Sequence, residues 1–344
     1  MLEDQIESGW VDAFAKVFDL CRIQQDETIV ILAETQSRSL NVHLTELALG
    51  QLGLNGVKLT VPSPIASTEP IIRSSGASVA LTNQSWAVDA LTHADVVIDL
   101  TLEGLMHAKE TPAIIQSGAR IITVSNEHPE ALARLVPTED MKDRVKEAVA
   151  RCRAADQMTV SSPEGTNLTV SMSDAATVGI WGWTDRPGTL AHWPAGLVVS
   201  FPKAGTVNGR LAYQPGDINL TFKRYFETAV TLIVENDYVT AVEGLGADAK
   251  LMRDYFEAFD DREAYATSHV GWGMNPAARY EALTMYDKRD TNGTELRALA
   301  GNFLYSTGAN EFAGRFTRGH FDLPMLGCDI ALDGAKVVDR GKPA

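Results

Sequence analysis

The sequence predicts an α/β N-terminal domain with a parallel sheet over residues 1–153. An α+β domain rich in antiparallel strands follows over residues 154–344. Three observations support this division. The chain has 344 residues, 45% of them apolar and 22% charged, enough for about two domains at roughly 100–200 residues each. Its first part alternates continuous apolar runs with helical patterns. From Asp156 onward the runs alternate in polarity and are broken by glycine turns.

In order, Glu27–Ala33 reads as a buried strand, and Ser39–Gly53 as a helix stopped by glycine. Val57–Val61, Asp95–Leu100 and Arg120–Val124 read as further strands, with Thr111–Ser117 a helix between the last two. Continuously apolar strands between helices imply a parallel sheet covered on both faces. Glu139–Cys152 is a helix leading into the second texture, where Gln157–Val160, Asn167–Met172, Leu197–Phe201 and Thr228–Val234 are strands. Glu164-Gly165, Asn208-Gly209 and Pro215-Gly216 read as hairpin turns, and Ala247–Phe259 as a lone helix.

The formal charge of −15, from 30 Lys+Arg against 45 Asp+Glu, comes without a basic stripe and argues against a nucleic-acid partner. The segment Met1–Glu7 lacks the features of a signal peptide, and no run approaches the ~18 apolar residues of a membrane span. Cys21, Cys152 and Cys328 are scattered, so inert thiols in a reducing cytoplasm are expected. The turn Ala33–Ser37 after the first strand carries no glycine-rich phosphate loop, which weakens a dinucleotide reading.

Seven histidines carry most of the candidate chemistry. His320 and Asp322 are two apart, so in an extended segment both project from one face. His269 lies in Thr267–Pro276, where two glycines and Asn-Pro suggest a tight loop. His269, His320 and Asp322 together supply two imidazoles and one carboxylate, a set suited to non-haem Fe(II) and also able to hold catalytic zinc. In Trp181–Pro194, the residues Trp181, Trp183 and Trp193 suggest an aromatic pocket rim, with His192 a candidate general acid/base. His107 follows the strand ending at Leu100, where ligand crevices of parallel sheets lie.

The blocks Pro163–Leu168, His269–Pro276, Gly301–Gly308, Gly319–Asp322 and Asp333-Gly334 resemble, in order, those of the aminopeptidase T family of two-metal leucyl aminopeptidases. Where that pattern has ligands, this chain has Leu197, His269 and Leu304, a change that fits one metal rather than two. The single-metal pattern, with Trp181–Gly188 and His192-Trp193-Pro194, resembles the 2,5-dihydroxypyridine 5,6-dioxygenases. That resemblance implies Fe(II), O2 and ring opening of 2,5-dihydroxypyridine to N-formylmaleamate in nicotinate or nicotine catabolism. His192 is then the first choice for proton transfer and His107 the second. The three tryptophans wall the ring, and Thr166 bonds its nitrogen or 2-oxygen. A cytoplasmic homo-oligomer joined through the C-terminal domain is expected. The competing readings are a zinc or cobalt aminopeptidase and a non-catalytic binding protein on the same scaffold.

Overall fold

The computed structural model describes residues 5–64 and 78–344; Met1–Asp4 of the N-terminal segment lie outside it. The chain opens with α1 (Ser8–Leu20), β1 (Ile29–Glu34), α2 (Ser39–Gln51), β2 (Gly56–Val61), α3 (Ser85–Thr92), β3 (Val96–Asp99), α4 (Thr111–Gln116), β4 (Arg120–Val124), α5 (Pro129–Arg134) and α6 (Glu139–Ala154). It continues through β5 (Gln157–Ser161), β6 (Asn167–Ser171) and β7 (Ala176–Ile180), and then β8 (Leu190–Trp193) returns to the first sheet beside β4. That sheet has the order β2-β1-β3-β4-β8 and all its pairings are parallel. Along β1, Ile29, Ile31 and Ala33 join one core and Val30 and Leu32 the other. Both faces are covered, which is why the strand reads as one unbroken apolar run.

The remaining elements are β9 (Leu197–Phe201), β10 (Val207–Tyr213), β11 (Ile218–Asn219), β12 (Arg224–Tyr225), β13 (Val230–Glu235), β14 (Tyr238–Glu243), α7 (Ala247–Ala258), β15 (Thr267–Gly273), α8 (Ala282–Met285), α9 (Thr294–Arg297), β16 (Phe303–Thr307), β17 (Phe321–Met325), β18 (Asp329–Leu332), β19 (Ala335–Asp339) and β20 (Lys342–Pro343). They form an eight-stranded sheet, β14-β13-β10-β6-β5-β18-β19-β20, and a five-stranded sheet, β17-β16-β15-β9-β7. Among the described residues the pairings within these two sheets are antiparallel.

Two expected turns or loops are strands instead. Asn208-Gly209 lies inside β10, where a Cβ on Gly209 would stand 2.1 Å from Asn167 O on β6. His269 lies in β15, and the glycines around it serve close approach. A Cβ on Gly271 would stand 1.9 Å from Val198 O, and one on Gly273 would stand 2.3 Å from Leu299 O.

The three thiols are free and buried, and burial raises Cys21 to about 12, Cys152 to about 11 and Cys328 to about 12, so none is a thiolate at neutral pH. No helix among the described residues is long and apolar enough to cross a membrane.

Candidate metal centre

Strand register builds the site. His269 on β15 pairs with Ser306 on β16, and Ser306 pairs with Asp322 on β17. Adjacent strands lie about 4.8 Å apart, so the two outer side chains flank the small Ser306, whose hydroxyl donates to Asp322 Oδ1. His320 enters at the start of β17. Its backbone N–H donates to the Tyr255 hydroxyl at 3.1 Å, while that hydroxyl and Thr221 each donate to its carbonyl at 3.0 Å. Gly308, at φ 116°, clears space beside the ring, since a Cβ there would lie 3.2 Å from His320 Nδ1.

Asp322 Oδ1 is 3.3 Å from His320 Nε2 and 4.0 Å from His269 Nε2. A donor atom from each of the three residues lies within 4.8 Å of the others, and all three residues are buried. Ligands bonded at ~2.0–2.2 Å to one ion stand about 3–4 Å apart, so this set fits a single metal. His269 Nε2 faces this set, while its other ring nitrogen, Nδ1, is buried with no hydrogen-bond partner among the described residues.

Charge distribution favours the ligand forms. Burial lowers His269 to about 3; Asp322 acts against this shift, while His320, His107 and Arg297 add to it. Burial opposes ionisation of Asp322, yet Arg297 and His320 hold its pKa well below the usual carboxylate range. The result is a neutral imidazole beside an ionised carboxylate, as metal binding requires.

All three residues, His269, His320 and Asp322, line one pocket together with Met106 and Phe201. It lies where the loop leaving β3 and the strand β8 meet the β17-β16-β15-β9-β7 sheet. Asp99, at the end of β3, fixes that loop by accepting from the N–H groups of Thr101 and Leu105 and the hydroxyls of Thr101 and Thr123. The loop delivers Glu103, Met106 and His107 to the pocket. His107 Nδ1–H donates to Glu311 Oε1 at 3.2 Å, and its ring lies 5.8 Å from that of His320. His192, also in the wall, has Nδ1 3.4 Å from Pro194 O, and burial lowers it to about 4, so its neutral ring keeps Nε2 as an acceptor.

Leu197 and Leu304 line the same pocket with Val199 and Ile180.

Four expected substrate contacts lie elsewhere. Trp183 and Trp193 are core residues at 1% and 0% exposure. Lys142 Nζ stands 4.6 Å over the Trp183 ring, while Trp193 packs on Phe14 and donates its indole N–H to Leu135 O at 2.9 Å. Trp181 packs between the two cores. Thr166 is buried beside the β5–β6 turn and accepts from the Ala212 N–H. None of these lines the pocket; large aromatic surface is here used for packing.

The sequence reading missed Glu103, Asn292, Thr294 and Arg297, all in the pocket wall. The one available signal was Asn292-Gly293, a turn pair whose glycine has φ 98°.

Two imidazoles and one carboxylate, buried together beside an apolar wall, form a candidate site for one metal ion. Residues 9–344 match the family model described as NicX, 2,5-dihydroxypyridine 5,6-dioxygenase. The chain belongs to this family. It is 34% identical over 333 residues to a 2,5-dihydroxypyridine 5,6-dioxygenase of Pseudomonas putida, covering 95% of this chain and 94% of that one. The solved structure of a 2,5-dihydroxypyridine dioxygenase from Pseudomonas putida KT2440 superposes with a TM-score of 0.92 at 33% identity, covering 98% of both chains. Wild-type AmpT from Thermus thermophilus superposes at 0.63 with 15% identity, over 97% of this chain and 99% of that one, and shares the fold.

Proposed function

We propose that the protein is an Fe(II)-dependent dioxygenase that opens 2,5-dihydroxypyridine between C5 and C6. Both atoms of O2 enter the product N-formylmaleamate. The observation that carries this reading is the His269–His320–Asp322 set, the one such group among the described residues, in a pocket whose wall beside it includes Leu197, Val199 and Leu304. Fe(II), when bound there, supplies Lewis acidity toward the substrate hydroxyl and an electron path from the electron-rich ring to O2.

The chain's own residues do the rest. His269, His320 and Asp322 hold the ion. The aliphatic wall sandwiches a planar ring and excludes water, while Asn292, Thr294 and Arg297 supply polar partners at one end. His107 donates Nδ1–H to a carboxylate, which fixes its tautomer and leaves Nε2 free to accept a proton, whereas His192 leans only on a carbonyl. We therefore assign proton transfer to His107, which takes the substrate's proton on Nε2 and returns it as the ring opens, reversing the order expected from sequence; the neutral His192 offers Nε2 only as an acceptor that orients the substrate. Free buried thiols suit a reducing cytoplasm.

The test is O2 uptake by Fe(II)-reconstituted protein on addition of 2,5-dihydroxypyridine, with one O2 consumed per ring opened. Hydrolysis of aminoacyl-nitroanilides without O2 uptake would instead support the peptidase reading.

A further inference from the structure

We propose that Glu127, a residue of the parallel-sheet region, is a positioning residue for the metal pocket on the antiparallel side. This rests on the single-metal reading above. The Glu127 carboxylate is 2% exposed and accepts three consecutive backbone N–H groups of the far region. Oε1 takes Gly293 and Thr294, each at 2.8 Å, and Oε2 takes Asn292 at 3.1 Å. A buried carboxylate with both oxygens engaged fixes the path of the segment it grips.

That segment sets Arg297. Arg297 Nη1 donates to Asn292 Oδ1 at 2.9 Å, and Arg297 Nε donates to Asp322 Oδ2 at 2.6 Å. The chain of contacts therefore runs from Glu127 through the Asn292–Thr294 turn and Arg297 to the carboxylate ligand. Ser125 adds a hydroxyl contact to Thr294 Oγ1 at 3.1 Å, and Asn41 holds Glu127 in place through its backbone carbonyl at 3.0 Å. No element of the five-stranded sheet itself grips this turn through three amides among the hydrogen bonds described. Removing Glu127 leaves three buried N–H groups without an acceptor and frees Arg297 to rotate off Asp322.

The experiment compares wild type, Glu127→Ala, Glu127→Gln and an interface control, Arg38→Ala, which removes the ion pair to Asp290 and leaves the Glu127 carboxylate in place. Co(II) is the probe, read by calorimetric affinity and by its visible ligand-field band, alongside hydrogen exchange of residues 292–297. Glu127→Ala is expected to weaken Co(II) binding about tenfold, the usual scale for an outer-shell partner, with an altered band and faster exchange. Glu127→Gln keeps one acceptor oxygen and is expected to lie between, which covers the case where the alanine variant does not fold. Arg38→Ala is expected to stay within about twofold of wild type. Wild-type affinity, band and exchange in Glu127→Gln, or equal losses in Arg38→Ala, would overturn the proposal. Wild type that binds no Co(II) would overturn it together with the metal site. Intact Co(II) binding without turnover of 2,5-dihydroxypyridine by the iron form would overturn the substrate reading alone.

Discussion

Arg297 Nε and Asp322 Oδ2 stand 2.6 Å apart, while the other oxygen of the same carboxylate faces the imidazoles of His320 and His269 at 3.3 and 4.0 Å. Oδ2 is thus anchored by Arg297, and Oδ1, which also accepts from Ser306, is the oxygen turned toward the two imidazoles. A guanidinium suits this task because its planar fork reaches Asp322 and Asn292 at once. Arg297→Lys keeps the charge but loses the fork. It is expected to weaken metal affinity and lower kcat/KM roughly 10–100-fold, measured by metal titration and steady-state O2 uptake, with the melting temperature little changed.

Glu311→Gln tests the base. The amide removes the negative charge that His107 Nδ1–H donates to. Turnover is expected to fall by about 10² while the iron content of the reconstituted protein stays at the wild-type level. Unchanged kcat in an iron-loaded variant would reassign deprotonation to His192.

The pH dependence of stability follows from His192. Its folded pKa of about 4 lies below the ordinary 6.5 because burial disfavours the imidazolium. The unfolded chain therefore binds this proton first. The stability associated with a neutral His192 is fully present above pH 6.5 and is lost as pH falls toward 4. Metal-free His192→Phe is expected to show a flatter decline of melting temperature across that window than wild type, in matched thermal scans.

Gly271→Ala should be severe. Its new Cβ would sit 1.9 Å from Val198 O, forcing β15 away from β9 and displacing His269 two residues earlier in the strand. Because a backbone atom cannot yield as a flexible side chain can, a loss of about 3 kcal/mol or more is expected, read by denaturant unfolding. A variant as stable as wild type would show that the two strands can separate without cost.

The legible parts of this molecule were those where local pattern and tertiary use coincide. The apolar runs of β1, β3 and β4 are buried on both faces, so their composition alone indicated a parallel sheet. The spacing of His320 and Asp322 did bring both to one site, with His320 one residue ahead of β17 and Asp322 within it. His269 looked like a loop residue because glycines also mark turns; here they admit a neighbouring strand. The tryptophans looked like a rim because aromatic residues serve pockets and cores alike, and only packing distinguishes the two. Arg297 and Glu127 carried no motif. Their importance arises from a turn meeting a carboxylate some 165 residues away along the chain, a contact that no local window contains.

Metal stoichiometry tests the whole account most directly. Anaerobically reconstituted wild type is expected to retain one Fe(II) per chain after desalting, and His320→Ala essentially none, with turnover lost in parallel. Two ions per wild-type chain, or full iron and activity in the alanine variant, would contradict the single ferrous site held by His269, His320 and Asp322.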